Sequence, residues 1–354
     1  WDIAVSTSVP RRNPAIDSLF GLRTDRVPRD EGVSPRVGFT WSPWSRDTAK
    51  ARARLKPVTF SGGVGTFRGT IPPARVNALV DQTGLPTATR RLSCAGDATP
   101  LPSWDIGAAA IPDACLDGTA PVAFSQRQPS VTVFDASYRA PVSWRANLAV
   151  AGFRVRGWNV GVAATQSHGR QGESATNANL RRAPAFALAD EGGRPVFADR
   201  TLIVPGTGVV APGAARTHDA FGPVTWLLSD LRSTATQVDV GLAPPRPLWG
   251  KVPFTATWTF MGQHAAERGF GATTAGDPWT AEWNRGASPT HQVVVTTSWR
   301  AWRRLNVALR TTVWSGTPFT PLVAGDVNGD GAGGDRAFVF GPDVADTTLR
   351  AQMA

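Results

Sequence analysis

Hydrophobic and polar residues alternate along several stretches of this chain. In FTATWTF (254–260), the four apolar side chains fall on one side of an extended backbone and the three threonines on the other. The same period of two runs through TQVDVGL (236–242), LNVALRTTV (305–313) and WRANLAV (144–150). That period is typical of a β-strand with one apolar and one polar face. The pattern therefore predicts an all-β chain.

Nine segments of this kind are predicted to be antiparallel neighbours in sequence order. They lie near 1–8, 34–43, 57–68, 140–151, 157–166, 234–243, 252–261, 290–301 and 304–315. Their connections alternate in length. Short ones fall near 152–157, 244–251 and 302–304, and long polar ones cover about 69–139, 167–233, 262–289 and the region from 316 onward.

Short turns at one end of the strands and long loops at the other are typical of an outer-membrane β-barrel. Lipid cannot hydrogen-bond to exposed backbone groups, so strands cross it only as a closed barrel. The prediction is an antiparallel up-and-down transmembrane β-barrel segment with long extracellular loops, with residues 1–354 as one partial barrel domain. A soluble β-sandwich or solenoid would show the same alternation. However, the chain has no repeat of roughly 20–50 residues, and its loops are long for a compact soluble domain.

In such a barrel, the apolar side of each strand faces lipid and the polar side faces a water-filled lumen. The polar side chains predicted to face the lumen are Arg145, Asn147, Asp239, Asn306 and Arg310. Barrels also carry aromatic residues at both membrane boundaries. The tryptophans predicted at the short-turn boundary are Trp41, Trp158, Trp249 and Trp302.

The charge of the chain permits two interpretations. The formal net charge is +10, nearly all of it from arginine, which would suit a polyanionic partner such as nucleic acid or lipid phosphate. Alternatively, the arginines are solvated residues of the loops. They are dispersed and accompany no known nucleic-acid-binding motif, so we expect no nucleic-acid partner. The sequence contains no run of 18 or more apolar residues, so no transmembrane helix is expected.

Two cysteines and one helical pattern fall in the loop between 69 and 139. Cys94 and Cys115 are the only cysteines, and a disulfide between them would indicate an oxidising compartment; two unrelated thiols are the alternative. The segment ARVNALVDQTG (74–84) follows two prolines and ends in glycine, which predicts a short helix.

The stretch GDVNGDGAGGDR (325–336) carries the densest candidate chemistry. Asp326, Asn328 and Asp330 alternate and Gly331 follows, as at the start of an EF-hand calcium loop. The twelfth position of such a loop needs a bidentate glutamate, but here it is Ala337. Two interpretations stay open. One is a calcium site on a loop surface, and the other is a structural turn held by Asx hydrogen bonds. The candidate ligands are Asp326, Asn328, Asp330 and Asp335.

No catalytic arrangement is recognisable, so we expect no enzyme. The four histidines are separated and lack a metalloprotease spacing, and GGVGTFRG (62–69) lacks the lysine of a phosphate-binding loop. The sequence requires no cofactor, and calcium at the acidic loop is the one candidate.

Several passages together resemble one protein family. They are, in order, SPRVGFTWSP (34–43), FSGGVGTFRG (60–69), VFDASYRAPVSWRANL (133–148), GRPVF (193–197), SDLRS (229–233), ERGFG (267–271) and SGTPFTPLVAGDVNGDGAGGDRAFVF (315–340). Their order and spacing resemble those of TonB-dependent outer-membrane receptors, and the most similar subgroup has a carboxypeptidase-regulatory-like N-terminal domain.

The resemblance implies a barrel of about 22 strands, closed by an N-terminal plug and energised through TonB. About nine strands, no plug, no TonB-binding box and no terminal aromatic strand are recognisable here, so we expect a piece of a longer protein. The expected function is substrate capture and uptake in the bacterial outer membrane. The expected partners are membrane lipid, TonB through the missing N-terminal region and a substrate that the sequence does not name. The alternatives are an outer-membrane adhesion protein without transport and a soluble, basic, polyanion-binding β protein.

Overall fold

The strands and helices are defined in a computed structural model. It describes residues 2–4, 10–28, 30–43, 58–86, 88, 93–94, 99–100, 116, 125–126, 128–191, 193–204, 208–211, 213–269, 277–286, 288–302, 304–317, 321–323 and 325–337. The strands in these residues are β1 (Asp2–Ala4), β2 (Asp30–Gly32), β3 (Arg36–Trp41), β4 (Thr59–Arg68), β5 (Ser93–Cys94), β6 (Ser125–Gln126), β7 (Val131–Phe134), β8 (Val142–Val155), β9 (Trp158–Asn177), β10 (Phe186–Leu188), β11 (Arg194–Val196), β12 (Val224–Ala243), β13 (Phe254–Arg268), β14 (Ala281–Arg285), β15 (His291–Trp302) and β16 (Leu305–Trp314). The helices are α1 (Pro14–Phe20) and α2 (Pro73–Asp81), with 3-10 turns at Ala189–Glu191 and Arg200–Leu202.

Eight long strands form one antiparallel sheet in the order β3, β4, β8, β9, β12, β13, β15, β16. Each is hydrogen-bonded to its predecessor in that order, as in an up-and-down meander, so eight of the nine predicted segments are confirmed as antiparallel neighbours. Within the described residues, β3 and β16 each have a neighbour on one side only. As far as the chain is described, the sheet is therefore open at both edges.

The prediction for the first segment, 1–8, is wrong. Its described residues, Asp2–Ala4, pair with Asp30–Gly32 in a separate two-stranded sheet and do not join the main one. Residues 5–9 lie outside the described part. Three residues can satisfy their backbone groups against any nearby extended segment, and β2 is that segment here.

Two strands are much longer than predicted. β9 and β12 each have 20 residues, about twice the 9–11 that cross a bilayer. Their outer halves fall in the region 167–233 that the sequence assigned to a loop. The outer half of β9 is polar on both faces, and that of β12 mixes apolar and polar residues on both faces, so neither shows the alternation by which the sequence reveals a strand. The register shifts between Leu228 and Ser233, opposite Gln171, whose φ of 57° marks a bulge.

The long-loop end of the sheet carries a packed substructure. We call it the cap, and it consists of the described residues of 13–24, 73–84, 131–140, 174–228 and 325–337. Short β7 runs parallel to the first residues of β12. Two hydrophobic clusters join it to α1 and α2, and a third lies within the segment that follows β9. Their buried members are Ile16, Val131, Val133, Phe221 and Val224; Leu79, Phe134, Tyr138 and Leu227; and Leu180, Phe197 and Ala215.

Both helices belong to the cap. Helix α2 confirms the prediction from the proline and glycine punctuation, and it buries Leu79. Helix α1 was not predicted, because seven residues are too few for a periodic pattern. Its ends are nevertheless well formed. The Asn13 side chain caps the first turn by accepting from the Ala15 N–H, and Gly21 ends the helix in a left-handed conformation with φ of 67°.

No helix in the described residues is long and apolar enough to span a membrane.

Candidate functional site

One face of the sheet is apolar across all eight strands. The register places Val240 beside Val162 on one side and Trp258 on the other, and Val238 beside Ala164 and Phe260. Antiparallel partners point to the same face, so this face can be followed from strand to strand. Large apolar side chains that it leaves exposed are Val37, Phe39, Trp41, Val64, Leu148, Leu242, Trp258, Val293, Trp299, Leu305, Leu309 and Val313.

The exposed apolar area is far larger than a soluble surface normally carries. Phe39, Leu148 and Leu309 have exposed fractions of 52%, 53% and 53%, and Val313 has 63%. Single exposed apolar residues are common on soluble proteins, but a continuous apolar face of this extent marks contact with lipid or another protein.

The apolar band crosses the strands at an angle. One row of paired residues runs from Trp41 in β3 through Val240 in β12 to Val313 in β16. Trp41 is the last residue of β3, at the end of the sheet where the short turns lie, whereas Val313 is the residue of β16 on this face that is nearest the long loops. Relative to the paired residues, the position of the band therefore shifts along the strand direction from one edge of the sheet to the other. Strands in a membrane barrel tilt by roughly 35–45°, so a lipid band at constant depth must cross their register in this way.

The four tryptophans predicted at one boundary all lie at the short-turn end of the sheet. Trp41 ends β3, Trp158 begins β9, Trp249 lies in the turn before β13 and Trp302 ends β15. Each is exposed; Trp249 reaches 87% and Trp302 76%. An indole ring has an apolar body and one N–H donor, which suits it to the boundary between lipid and water.

The opposite face of the sheet is polar, and the five predicted lumen residues all lie on it. Their hydrogen-bonded neighbours are small or polar: Gly65 and Ser167 beside Arg145, Thr165 beside Asn147, Ala163 and Thr259 beside Asp239, Arg300 beside Asn306, and Thr296 beside Arg310. Asp239 accepts hydrogen bonds from Thr259 Oγ1 at 2.7 Å and Gln237 Nε2 at 2.8 Å. The five residues thus share a hydrated face, and that this face lines a lumen remains a prediction.

The acidic loop is a set of Asx turns. Asp326 accepts the backbone N–H groups of Gly329 and Gly331, Asn328 Oδ1 accepts that of Asp330, and Asp330 Oδ1 accepts that of Ala332. Asp335 closes the loop, because its Oδ2 accepts the Val327 N–H at 2.6 Å. These are the hydrogen bonds expected of the structural turn. In the described part of the chain, no three His, Cys, Asp or Glu side chains are grouped as for a metal ion.

The loop is buried against other segments of the cap. The Phe197 N–H donates to the Asn328 carbonyl at 2.7 Å, and the Val210 N–H donates to the Asp326 carbonyl at 2.8 Å. Burial, with the neighbouring Asp330, raises the pKa of Asp326 to about 7. Burial also raises the pKa of Asp335 to about 7 and moves the pKa of Asp330 upward. The folded loop therefore holds carboxylates that a proton or a cation would stabilise.

A buried ion network holds the C-terminal end of this loop. The Arg194 side chain is fully buried and lies 3.0 Å from Glu191, and Arg336 lies 3.5 Å from the same carboxylate. Arg194 also donates to the carbonyl oxygens of Arg336 and Ala337. Burial and the nearby Arg336 lower the pKa of Arg194 to about 10. The sequence did not predict this network, because Arg336 lies 142 residues after Arg194 along the chain.

The predicted disulfide stays a prediction. Cys94 lies in β5, where it pairs with Ser125 of β6. Cys115 lies outside the described residues.

No family model matches the chain, and no curated protein matches it. Among solved structures, it is similar to the siderophore receptor PirA from Pseudomonas aeruginosa at 12% identity and a TM-score of 0.35, over 80% of this chain and 34% of that one. It is similar to the outer-membrane transporter YddB from Escherichia coli at 6% identity and a TM-score of 0.40, over 76% of this chain and 26% of that one. It is also similar to the ferric enterobactin receptor PfeA from Pseudomonas aeruginosa, at 10% identity and a TM-score of 0.36, over 86% of this chain and 38% of that one.

The chain thus spans between about a quarter and two fifths of the length of these receptors and transporters. Because the TM-scores lie below 0.5, the function proposed below rests on the faces, the register and the edges of the chain's own sheet.

Proposed function

We propose that this chain forms part of the wall of a β-barrel in the bacterial outer membrane, and that the intact protein is a TonB-dependent receptor that captures and takes up a substrate. The observation that carries the barrel proposal is the exposed apolar band, which crosses eight register-matched strands at an angle. A bilayer is the surrounding that such a band fits, because water would not tolerate it and a protein partner would not require the tilt.

The two ends of the sheet indicate how the barrel would be oriented in the outer membrane. Short turns and exposed tryptophans mark one end, and the cap covers the other. In an outer-membrane barrel, the short turns face the periplasm and the long segments face outside. The cap is then the part of this chain that first meets a substrate, and the polar face is the wall along which the substrate would pass.

Of the two alternatives, the soluble polyanion-binding protein fits less well, since it leaves the apolar band without a function. Membrane fractionation separates the two. We expect the full-length protein to sediment with outer membranes, to resist extraction by high salt and alkaline carbonate, and to migrate differently on electrophoresis before and after boiling. Release by salt or carbonate, without detergent, would refute the membrane location.

The adhesion protein shares the barrel but not the energy coupling. Transport requires contact with TonB, so the purified periplasmic domain of TonB should be captured by the full-length receptor in detergent. An adhesion protein should capture no more TonB than a porin of similar size used as a control. Absence of capture, with the barrel intact by its heat-dependent migration, would favour adhesion.

We also propose that the acidic loop takes up calcium weakly. The support is the upward pKa shift of its buried carboxylates, which a cation would reverse. Both oxygens of Asp326 already accept backbone N–H groups, so calcium must compete with the Asx turns. We therefore expect a dissociation constant at the weak end, about 10⁻⁴–10⁻³ M. Calorimetry on the full-length protein should show heat that Asp326→Ala with Asp330→Ala removes. No heat at millimolar calcium would leave a structural turn only.

A further inference from the structure

A groove runs across the polar face near the cap. Its floor follows one row of paired residues from β4 to β13, namely Phe67, Ser143, Gly169, Ser233 and Ala265. Its volume is about 540 Å³, within the range of roughly 300–1,000 Å³ that small-molecule sites occupy.

The floor is low because its residues are small. A Cβ atom on Gly169 would lie 2.2 Å from Ser233 Oγ, so the hydroxyl of Ser233 occupies the space that a side chain at 169 would need. Two serine hydroxyls, from Ser143 and Ser233, lie along this floor and can donate or accept hydrogen bonds. The groove is thus a trough with polar groups at its base, bounded at the β4 end by an aromatic ring.

Two arginines converge on that ring. The Arg36 guanidinium carbon lies 4.3 Å from the centroid of Phe67, and that of Arg145 lies 5.2 Å from it. Gly65 is paired with both arginines. A Cβ there would lie 2.7 Å from Arg36 Cγ, so its lack of a side chain leaves room for the pair. The aromatic ring holds two like charges in place by cation–π contact.

Neither guanidinium is neutralised by a residue that the structure describes. In the described part of the chain, Arg36 and Arg145 have no carboxylate within ion-pairing distance. Both acids that line the groove are engaged elsewhere: Glu173 accepts from Arg75 and Tyr138, and Glu267 accepts from Asn284. Positive charge therefore remains at this end of the groove, which Arg170 and Arg232 also line, and hydroxyl groups lie along its floor.

We propose that this groove binds a small anionic solute, with its carboxylate or phosphate group at Arg145 and Arg36 and its remainder along the serine floor. The proposal rests on the proposed function, since it names the substrate class for which the polar face is a passage. Guanidinium groups bind carboxylate and phosphate through paired N–H donors. The occupant is taken to be a solute and not an acidic protein segment, because the volume of the groove lies in the range of small-molecule sites.

The test uses the full-length protein in detergent micelles, with tricarballylate, inorganic pyrophosphate and neutral erythritol as probes in equilibrium dialysis. We expect the two anions to bind and erythritol not to. Arg145→Gln should weaken anion binding about tenfold, the effect of losing one charged hydrogen bond. Ser143→Leu should abolish anion binding altogether, because the larger side chain fills the floor of the groove without removing a charge. A preference between the two anions identifies carboxylate or phosphate as the recognised group.

Arg310→Gln is the matched control, because Arg310 is an exposed arginine on the same polar face but lies in β16, far from the groove. Its affinity for the anions should stay within about twofold of the native value. Equal losses in Arg145→Gln and Arg310→Gln would show general charge attraction and overturn the site. A native protein that binds neither anion at about 1 mM would overturn it as well.

A third outcome would also count against a solute. Arg145→Gln could lower the melting temperature while leaving anion affinity unchanged, which would mean that the arginines hold a protein segment. In each case, heat-dependent migration of the same samples reports separately whether the barrel is present. If the anions do not bind although the migration shows an intact barrel, this inference is overturned and the proposed barrel is not.

Discussion

Neighbouring residues of β12 meet different surroundings, because successive side chains of a strand point to opposite faces. Val240 lies in the row of Val162 and Trp258, within the apolar band. Asp239 accepts two side-chain hydrogen bonds on the polar face. A step of one residue therefore moves a side chain from the surface assigned to lipid to the surface assigned to water.

Arginine substitutions on the two faces should have different effects on membrane insertion. Val240→Arg and Leu309→Arg place a charge in the apolar band and should each cost about 2–4 kcal/mol near the middle of the bilayer. Asn306→Arg, on the polar face of the same strand as Leu309, should cost much less. Asp239→Arg should be intermediate, because it also loses two hydrogen bonds. The measurement is the unfolding free energy of the full-length protein in lipid vesicles. Equal effects of Leu309→Arg and Asn306→Arg would contradict the assignment of faces.

The acidic loop should dock less firmly as the pH rises. The raised pKa values of Asp326 and Asp335 mean that the folded loop keeps protons, between about pH 4 and pH 7, that the unfolded chain has released. Folding of the loop is then most favourable below that window and weakens through it. In EDTA, hydrogen exchange at the amides of Val327, Gly329 and Gly331, corrected for intrinsic rate, should be faster at pH 8 than at pH 5.

Two variants test the cause of that dependence. Asp326→Asn and Asp335→Asn remove the titrating groups while keeping an oxygen acceptor, so exchange should become nearly independent of pH. Unchanged pH dependence in the double variant would mean that other groups govern the loop.

The sequence identified the residues of this loop but not their environment. The spacing of Asp326, Asn328 and Asp330 fits either a calcium site or Asx turns, and the structure contains the hydrogen bonds of Asx turns. The burial that shifts their pKa values comes from Phe197 and Val210, more than a hundred residues earlier. Such distant contacts leave no local pattern, so the sequence could not reveal them.

At the scale of elements, the alternating pattern located strands where one face is apolar and missed them where polar residues lie on both faces, alone or mixed with apolar ones. β9 was predicted over 157–166 and continues to Asn177, and β12 was predicted from 234 and begins at Val224. The hidden halves are stabilised by each other and by the cap. They carry the residues that support β7 and both helices, so the cap was predicted as loop apart from α2.

Removing one charge of the ion network should destabilise the cap, whereas removing the Arg194 and Glu191 charges together should destabilise it much less. Arg194→Met leaves Glu191 buried without its nearest cation, and the loss of one partner of a buried pair costs roughly 3–5 kcal/mol. The lower end is expected, because Arg336 remains 3.5 Å from Glu191. The loss should appear as faster proteolysis of the cap, with the barrel still resistant.

The double variant Arg194→Met with Glu191→Gln is the control for that prediction, because it removes both charges. Most of the lost resistance should return, although Arg336 then lacks its carboxylate partner. If the double variant were as sensitive as the single one, the hydrogen bonds from Arg194 to residues 336 and 337 would matter more than the charge.

At the scale of the molecule, the angle of the apolar band adds what single strands cannot show. The sequence gives each strand its two faces, and the register shows that these faces join into one band that slides from β3 to β16. The sequence correctly predicted the strand order in eight segments. It could not predict the angle, because the angle depends on which residues pair across strands, and pairing is fixed by the whole sheet.

The open edges lead to a prediction about residues 1–354 alone. Within the described residues, one side of β3 and one side of β16 have no hydrogen-bonded strand. In lipid, each unsatisfied backbone group costs several kcal/mol, so an open eight-stranded sheet should not insert as a monomer. Refolded into lipid vesicles, residues 1–354 should stay sensitive to protease or associate through their edges, whereas the full-length protein should give a protease-resistant band whose migration depends on boiling. A resistant monomer of residues 1–354 would mean that β3 and β16 pair with each other, and this chain would then form a complete small barrel.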